Sequence, residues 1–233
     1  MTRAPARILL VEDHDFVADA LKTRLELETD FECVGRLERA DDLARAAREL
    51  NADIVLLDIE MPGSDPFEAI EDLKRTNDRV KVIMLSAHVR DHYINMAVEA
   101  GAWGYFYKGD DPQTIVSGIR DVIRGRFATG PKIKERWKGA ATQANGRPAS
   151  VIEGAPRPTS EDLPQTPLAS LTPRELQVLR MIGRGMARRE IAESLHRSPK
   201  TVDCHRAAIM KKLEIRDRVE LARYAIREGL AEA

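Results

Sequence analysis

At 233 residues the chain is too long for one average domain and about right for two small ones. Its 43% hydrophobic and 32% charged residues are the balance of a globular chain and exclude wholesale disorder. With 37 Lys and Arg against 38 Asp and Glu, the formal net charge is −1, which taken whole argues against a strongly basic nucleic-acid binder. No apolar run approaches the roughly 20 residues that span a bilayer, so no membrane partner is expected. The opening MTRAPAR-ILLV is too short for a signal-peptide core. Two distant cysteines, Cys33 and Cys204, rule out a disulfide scaffold and point to the cytoplasm.

In chain order, residues 1–130 alternate short apolar runs with longer amphipathic stretches. The runs are RILLV (7–11), FECVGRL (31–37), DIVLLD (53–58), VKVIMLS (80–86) and WGYFY (103–107). Most are rich in Val, Ile and Leu and too short for helices, so they are expected as buried strands. The segments between them carry helical spacing, such as Phe16, Ala20, Leu21, Leu25 and Leu43, Ala46, Ala47, Leu50. Asp65-Pro66 with Glu68, and Asp111-Pro112, write helix starts: a cap followed by proline at the first helical position. Five strands alternating with five helices imply an α/β domain with a parallel, doubly wound sheet of order 2-1-3-4-5.

Residues 131–167 are expected to be a linker, with a short helix allowed at its start. Within residues 138–170, 20 of 33 are Pro, Gly, Ala, Ser or Thr, and no apolar period is sustained. Residues 168–233 return to helical periodicity with no strand signal. Thr172-Pro173-Arg174-Glu175 is a capping box, Ser198-Pro199 opens another helix, and Gly183, Gly185 and Gly229 mark helix ends. A compact all-α domain of four short helices is expected there. Charge separates along the same boundaries: residues 1–130 hold 17 basic and 25 acidic side chains (−8), 131–167 hold 6 and 4 (+2), and 168–233 hold 14 and 9 (+5).

Ligands of a parallel α/β sheet bind beyond the carboxyl ends of its strands. There stand Glu12 and Asp13 after the first strand, Asp58 ending the third, Ser86 ending the fourth and Lys108 just after the fifth. Strands one and three should be neighbours, which brings Asp13 and Asp58 together. Carboxylates so placed repel unless a cation sits among them, and an all-oxygen set favours Mg²⁺ before Ca²⁺. A lysine beside them suits a phosphoryl group.

This set resembles the receiver domain of bacterial response regulators over essentially all of residues 5–130. The resemblance rests on Glu12-Asp13, Asp58 in LLDIEMPG, Ser86 in MLSAH and Lys108 in GYFYK. It implies that Asp58 accepts a phosphoryl group from a sensor histidine kinase. It implies Mg²⁺ on Asp13 and Asp58, with Glu12 and the backbone carbonyl of Glu60 assisting. Ser86 and Lys108 then bind phosphoryl oxygens, and Tyr105 turns inward when Ser86 moves.

Residues 171–213 resemble the LuxR-type helix-turn-helix, with IAESL (191–195) as scaffold helix and SPKTV opening a recognition helix. The whole chain then resembles a NarL/FixJ-type regulator: no enzyme, but a transcription factor bound to promoter half-sites in double-stranded DNA, homodimeric when phosphorylated. At about 100° per residue, Val202, Ile209 and Leu213 should face inward, and Lys200, Cys204, Ala207 and Lys211 the groove. Base-contacting positions correspond to Asp203, Cys204 and Ala207, beside Thr201 at the start of the helix. Asp203 either accepts from a cytosine amino group or orients Arg206. Arg188, Arg189, Lys200, Arg206, Lys211 and Lys212 are expected phosphate binders. In the last helix, Val219, Leu221, Ala222, Tyr224 and Ala225 are candidates for a dimer contact, the alternative being closure of the domain's own core.

Overall fold

The computed structural model describes residues 4–61, 64–135, 158, 167–195 and 197–231. The chain divides into two compact units, Met1–Pro164 and Gln165–Ala233. Pro62-Gly63 of the LLDIEMPG motif and most of the expected linker (136–157 and 159–166) lie outside the described residues, while residues 131–135 are helical.

In the first unit the strands are β1 (Ala6–Val11), β2 (Phe31–Leu37), β3 (Ile54–Asp58), β4 (Lys81–Ser86), β5 (Gly104–Tyr107) and β6 (Ala128–Thr129). Between them run α1 (Asp15–Glu26), α2 (Leu43–Glu49), α3 (Pro66–Thr76), α4 (Asp91–Ala100) and α5 (Pro112–Ile123). All pairings are parallel, in the order β2-β1-β3-β4-β5-β6. The sheet therefore has six strands, not the expected five. After α5 the chain pairs two residues against β5 and is held there by Ala128 N–H to Trp103 O (3.1 Å) and Gly130 N–H to Tyr105 O (3.2 Å). A two-residue strand carries no period for sequence to reveal.

Both sheet faces are covered. Ile8, Leu10, Ile54, Leu56, Ile83 and Leu85 pack on Ile115, Val116, Ile119 and Val122 of α5 and Leu25 of α1. The alternate residues Leu9, Val55, Leu57, Val82 and Met84 point the other way and are equally buried. Each such side chain contributes about 1.5–3 kcal/mol on burial. Gly118 brings α5 close to β5, because a Cβ there would overlap the Phe106 ring. Helix starts follow the written caps: Asp65 accepts from the N–H groups of Phe67 and Glu68, and Asp111 from that of Gln113.

β1 and β2 run in register from Ala6↔Phe31 to Ile8↔Cys33, then resume at Leu9↔Gly35, leaving Val34 as an extra residue on β2.

The second unit holds α6 (Pro173–Gly183), α7 (Arg188–Ser194), α8 (Pro199–Lys212) and α9 (Arg218–Arg227) after one 3-10 turn, Pro167–Ser170. The Thr172–Glu175 capping box is complete, and Ser198 Oγ accepts from Thr201 N–H at 3.1 Å. Leu176, Leu179 and Ile182 of α6, Ile191 of α7, Val202 and Ile209 of α8 and Leu221 and Ala225 of α9 are buried. Leu213 is half-buried. Gly183 allows α6 and α9 to touch, since its Cβ would lie 2.8 Å from that of Ala225.

Candidate functional site

At the carboxyl edge of the sheet, four neighbouring strands each deliver one polar group into the same depression. Glu12 follows β1, Asp58 ends β3, Ser86 ends β4 and Lys108 follows β5. Asp58 and Ser86 are fully buried, and Glu12 nearly so. The Lys108 ammonium lies 2.9 Å from Asp58 Oδ2 and 2.7 Å from Glu12 Oε2. Asp58 Oδ1 accepts from the Glu60 N–H at 3.1 Å. Burial pushes the Asp58 carboxyl above its usual range, against the opposing pull of Lys108. For Lys108, burial disfavours the ammonium, yet Asp58 and Glu12 outweigh it and hold the group above the ordinary lysine value.

Ligand atoms of Glu12, Asp13, His14 and Asp58 lie within 4.8 Å of one another. Apart from the ion pairs with Lys108 and His14, no hydrogen bond among the described residues reaches the buried oxygens Glu12 Oε2, Asp13 Oδ1 and Asp58 Oδ2. Three carboxylates around one lysine leave net negative charge, and oxygen donors with vacant lone pairs suit a hard divalent cation. His14 enters this cluster, its Nδ1 3.0 Å from Glu12 Oε1 and 2.8 Å from Asp13 Oδ1. Those contacts, the Glu12 hydrogen bond above all, hold its imidazole above the usual histidine value.

Beside the pocket, Ser86 Oγ accepts from the His88 N–H at 3.0 Å, and the Tyr105 hydroxyl donates to the His88 carbonyl at 3.1 Å. One short segment is thus tied to both side chains. Tyr105 is fully buried, and burial pushes its hydroxyl above the ordinary tyrosine range, so it remains a donor. His88 Nε2 lies 3.4 Å from Glu60 Oε1 at the pocket rim.

In the helical unit, α8 exposes Lys200, Cys204, Ala207 and Lys211, and α7 exposes Arg188 and Arg189. Asp203 stands between two cations: Arg188 at 2.8 Å from α7 and Arg206 at 3.2 Å one turn along α8. Lys212 is engaged by the buried Glu175 at 2.6 Å. Burial works to raise the Glu175 carboxyl, but Lys212 and the Thr172 N–H prevail and hold it below its usual value.

The response regulator receiver domain model matches residues 8–120, and the model for bacterial regulatory proteins of the luxR family matches residues 169–225. Response regulator UvrY of Escherichia coli K12 is 36% identical over 226 residues, 97% of this chain and 96% of that protein. This chain belongs to the response-regulator family. Response regulator GacA of Pseudomonas aeruginosa is 32% identical over 227 residues, covering 97% of this chain and 98% of GacA. Among solved structures, RcsB from Salmonella enterica serovar Typhimurium, bound to promoter rprA in the presence of phosphomimetic BeF₃⁻, shares the fold. It matches with a TM-score of 0.66 at 22% identity, over 94% of this chain and 98% of that one.

The response regulator thus carries a receiver and a LuxR-type DNA-binding domain. In the receiver, the structure brings Glu12, Asp13, Asp58 and Lys108 together, with Ser86 and Tyr105 joined through His88. Sequence reading missed two participants. His14 was signalled only by following the acidic pair. Arg36 sits 24 residues from Glu12 and donates to its carbonyl, which no local pattern foretells. Lys212 pairs with Glu175 of the α6 capping box. Leu221, Tyr224 and Ala225 are buried within the domain, Leu221 and Ala225 completely. Val219 is 61% exposed and Ala222 half-buried. Among the described residues no helix is long and apolar enough to cross a membrane.

Proposed function

We propose that this response regulator takes a phosphoryl group onto Asp58 from a sensor histidine kinase and thereby controls its own dimerisation and its binding to promoter DNA. The observation that carries this reading is the buried Asp58 carboxylate, aimed at the Lys108 ammonium and with no other donor to Oδ2 among the described residues. In the transfer, an Asp58 oxygen forms the new bond to phosphorus while the phosphohistidine N–P bond breaks and the imidazole nitrogen leaves. Lys108 is positioned to move from the carboxylates to a phosphoryl oxygen, and the Ser86 hydroxyl hydrogen is available for another. Such transfers depend mainly on positioning and charge neutralisation. Glu12, Asp13, Asp58 and the Glu60 carbonyl would hold Mg²⁺, which when bound neutralises charge on the phosphoryl oxygens. When the Ser86 side chain turns to donate to the phosphoryl group, its oxygen moves, and the His88 segment, bonded to that oxygen and to the Tyr105 hydroxyl, is the element that shifts with it.

On the output side, Lys200, Thr201, Cys204, Ala207 and Lys211 present the DNA-facing surface, with Arg188, Arg189 and Arg206 flanking it. Val219 and Ala222 remain for a dimer contact. That RcsB was captured on promoter DNA with a phosphomimetic supports the same coupling here. The test is Asp58→Asn. The parent should be labelled by acetyl phosphate and bind promoter DNA more tightly afterwards, measured by phosphate-affinity gels and fluorescence anisotropy. The variant should show neither, and labelling that persists in it would remove Asp58 as the acceptor.

A further inference from the structure

Arg36 is the penultimate residue of β2 and turns its guanidinium over the loop that joins β1 to α1. Its Nε donates to the Glu12 carbonyl at 3.0 Å, one terminal nitrogen donates to the Asp13 carbonyl at 3.2 Å, and the other reaches Asp15 Oδ1 at 2.7 Å. Every contact falls on the short segment that carries the acidic cluster. The fixed planar fork of arginine matches three acceptors arranged in this way, whereas a lysine would satisfy one at a time. The bulge makes the reach possible. Because Val34 is extra, Arg36 pairs with Leu10 and Leu37 with Val11; a regular ladder would set Arg36 opposite Val11 and turn its side chain to the other face. Glu12 is fixed from the same strand by its N–H to the Leu37 carbonyl at 2.9 Å.

We infer that Arg36 is a positioning residue for the cation site, holding the Glu12-Asp13 backbone so that both carboxylates face Asp58. The inference rests on the phosphoacceptor reading of that pocket. Arg36 touches no reacting atom. It acts through the loop, as outer partners of metal ligands do elsewhere, where their loss weakens metal affinity by about 10–100-fold. The mutual repulsion of Glu12, Asp13 and Asp58 favours splaying of the loop, and the guanidinium opposes it with donors aimed at carbonyls that the carboxylates cannot satisfy.

The test uses the full chain and Mg²⁺ alone. Calorimetric titration should give a dissociation constant about tenfold higher for Arg36→Ala than for the parent, with Arg36→Lys in between. In acetyl-phosphate labelling, the Mg²⁺ concentration for half-maximal rate should rise by the same factor, while the rate at saturating Mg²⁺ stays at the parent value. A general structural defect would lower that saturating rate as well. Unchanged Mg²⁺ affinity in folded Arg36→Ala, or a lowered rate at saturation, overturns the inference. If Arg36→Ala does not fold, Asp15→Asn weakens one arm of the fork on the surface, and a raised or unchanged Mg²⁺ constant decides in the same way. A parent that binds no Mg²⁺ and takes no label overturns the phosphoacceptor reading itself. A parent that labels normally beside an Arg36→Ala with normal Mg²⁺ affinity overturns only the role of Arg36.

Discussion

Lys108 is the counter-charge that allows Asp58 and Glu12 to be buried side by side. Removing it strands two carboxylates in a site where water cannot solvate them, and breaking buried pairs in this way costs about 3–5 kcal/mol. We expect Lys108→Ala to lower stability towards that range in chelator, with millimolar Mg²⁺ restoring part of the loss, as read by urea unfolding. A second residue-scale prediction concerns Arg120, which binds Asp30 at 2.8 Å and Glu28 at 2.5 Å. The guanidinium holds both carboxyls below their usual values. Groups with depressed folded values stabilise above their unfolded pKa, near 4 for acids, and lose that contribution as pH falls through the folded value. The parent should therefore exceed Arg120→Gln in stability at pH 7, and the gap should close below about pH 4 in unfolding curves taken across pH. A gap that widens on acidification would contradict this.

Whole elements were legible in sequence where the signal was local. Asp65, Asp111, Thr172 and Ser198 each cap the helix that their spacing announced. The convergence of Asp58, Glu12 and Lys108 was legible too, because a parallel sheet dictates where strand ends lie. What escaped depends on partners distant in sequence. β6 exists only because β5 offers it an edge. Lys212 looked like a free cation until folding set Glu175 beside it, 37 residues away. Asp203 could not be assigned from α8 alone, since one of its two arginines comes from α7. The same dependence makes α8 the weak point of the small helical unit. Ile209 is fully buried on it, and Ile209→Ala should cost about 2–5 kcal/mol. In calorimetry this should lower the melting of the DNA-binding domain and leave the receiver transition in place.

At the scale of the molecule, the charge of −1 is the sum of −8, +2 and +5 over three successive segments, so total charge conceals a basic output domain behind an acidic receiver. DNA affinity should accordingly fall steeply with salt, each phosphate contact contributing about 0.9 to the log–log slope. Lys200 and Lys211 are exposed and carry no ion pair among the described residues. Lys200→Ala should reduce the slope by about one, with a similar loss of affinity for every sequence tested. Lys212→Ala should leave the slope unchanged, because its ammonium already belongs to Glu175.

The bulge at Val34 lies on β2, which is an outermost strand of the sheet. An outermost strand displays a row of backbone donors and acceptors that another chain can pair with, and a long regular one invites aggregation. The extra residue interrupts that row between Cys33 and Gly35 and increases the local twist. The break works against edge-to-edge joining of two such sheets, so the residue that aims Arg36 at the acidic loop also blunts the strand that another copy would pair with.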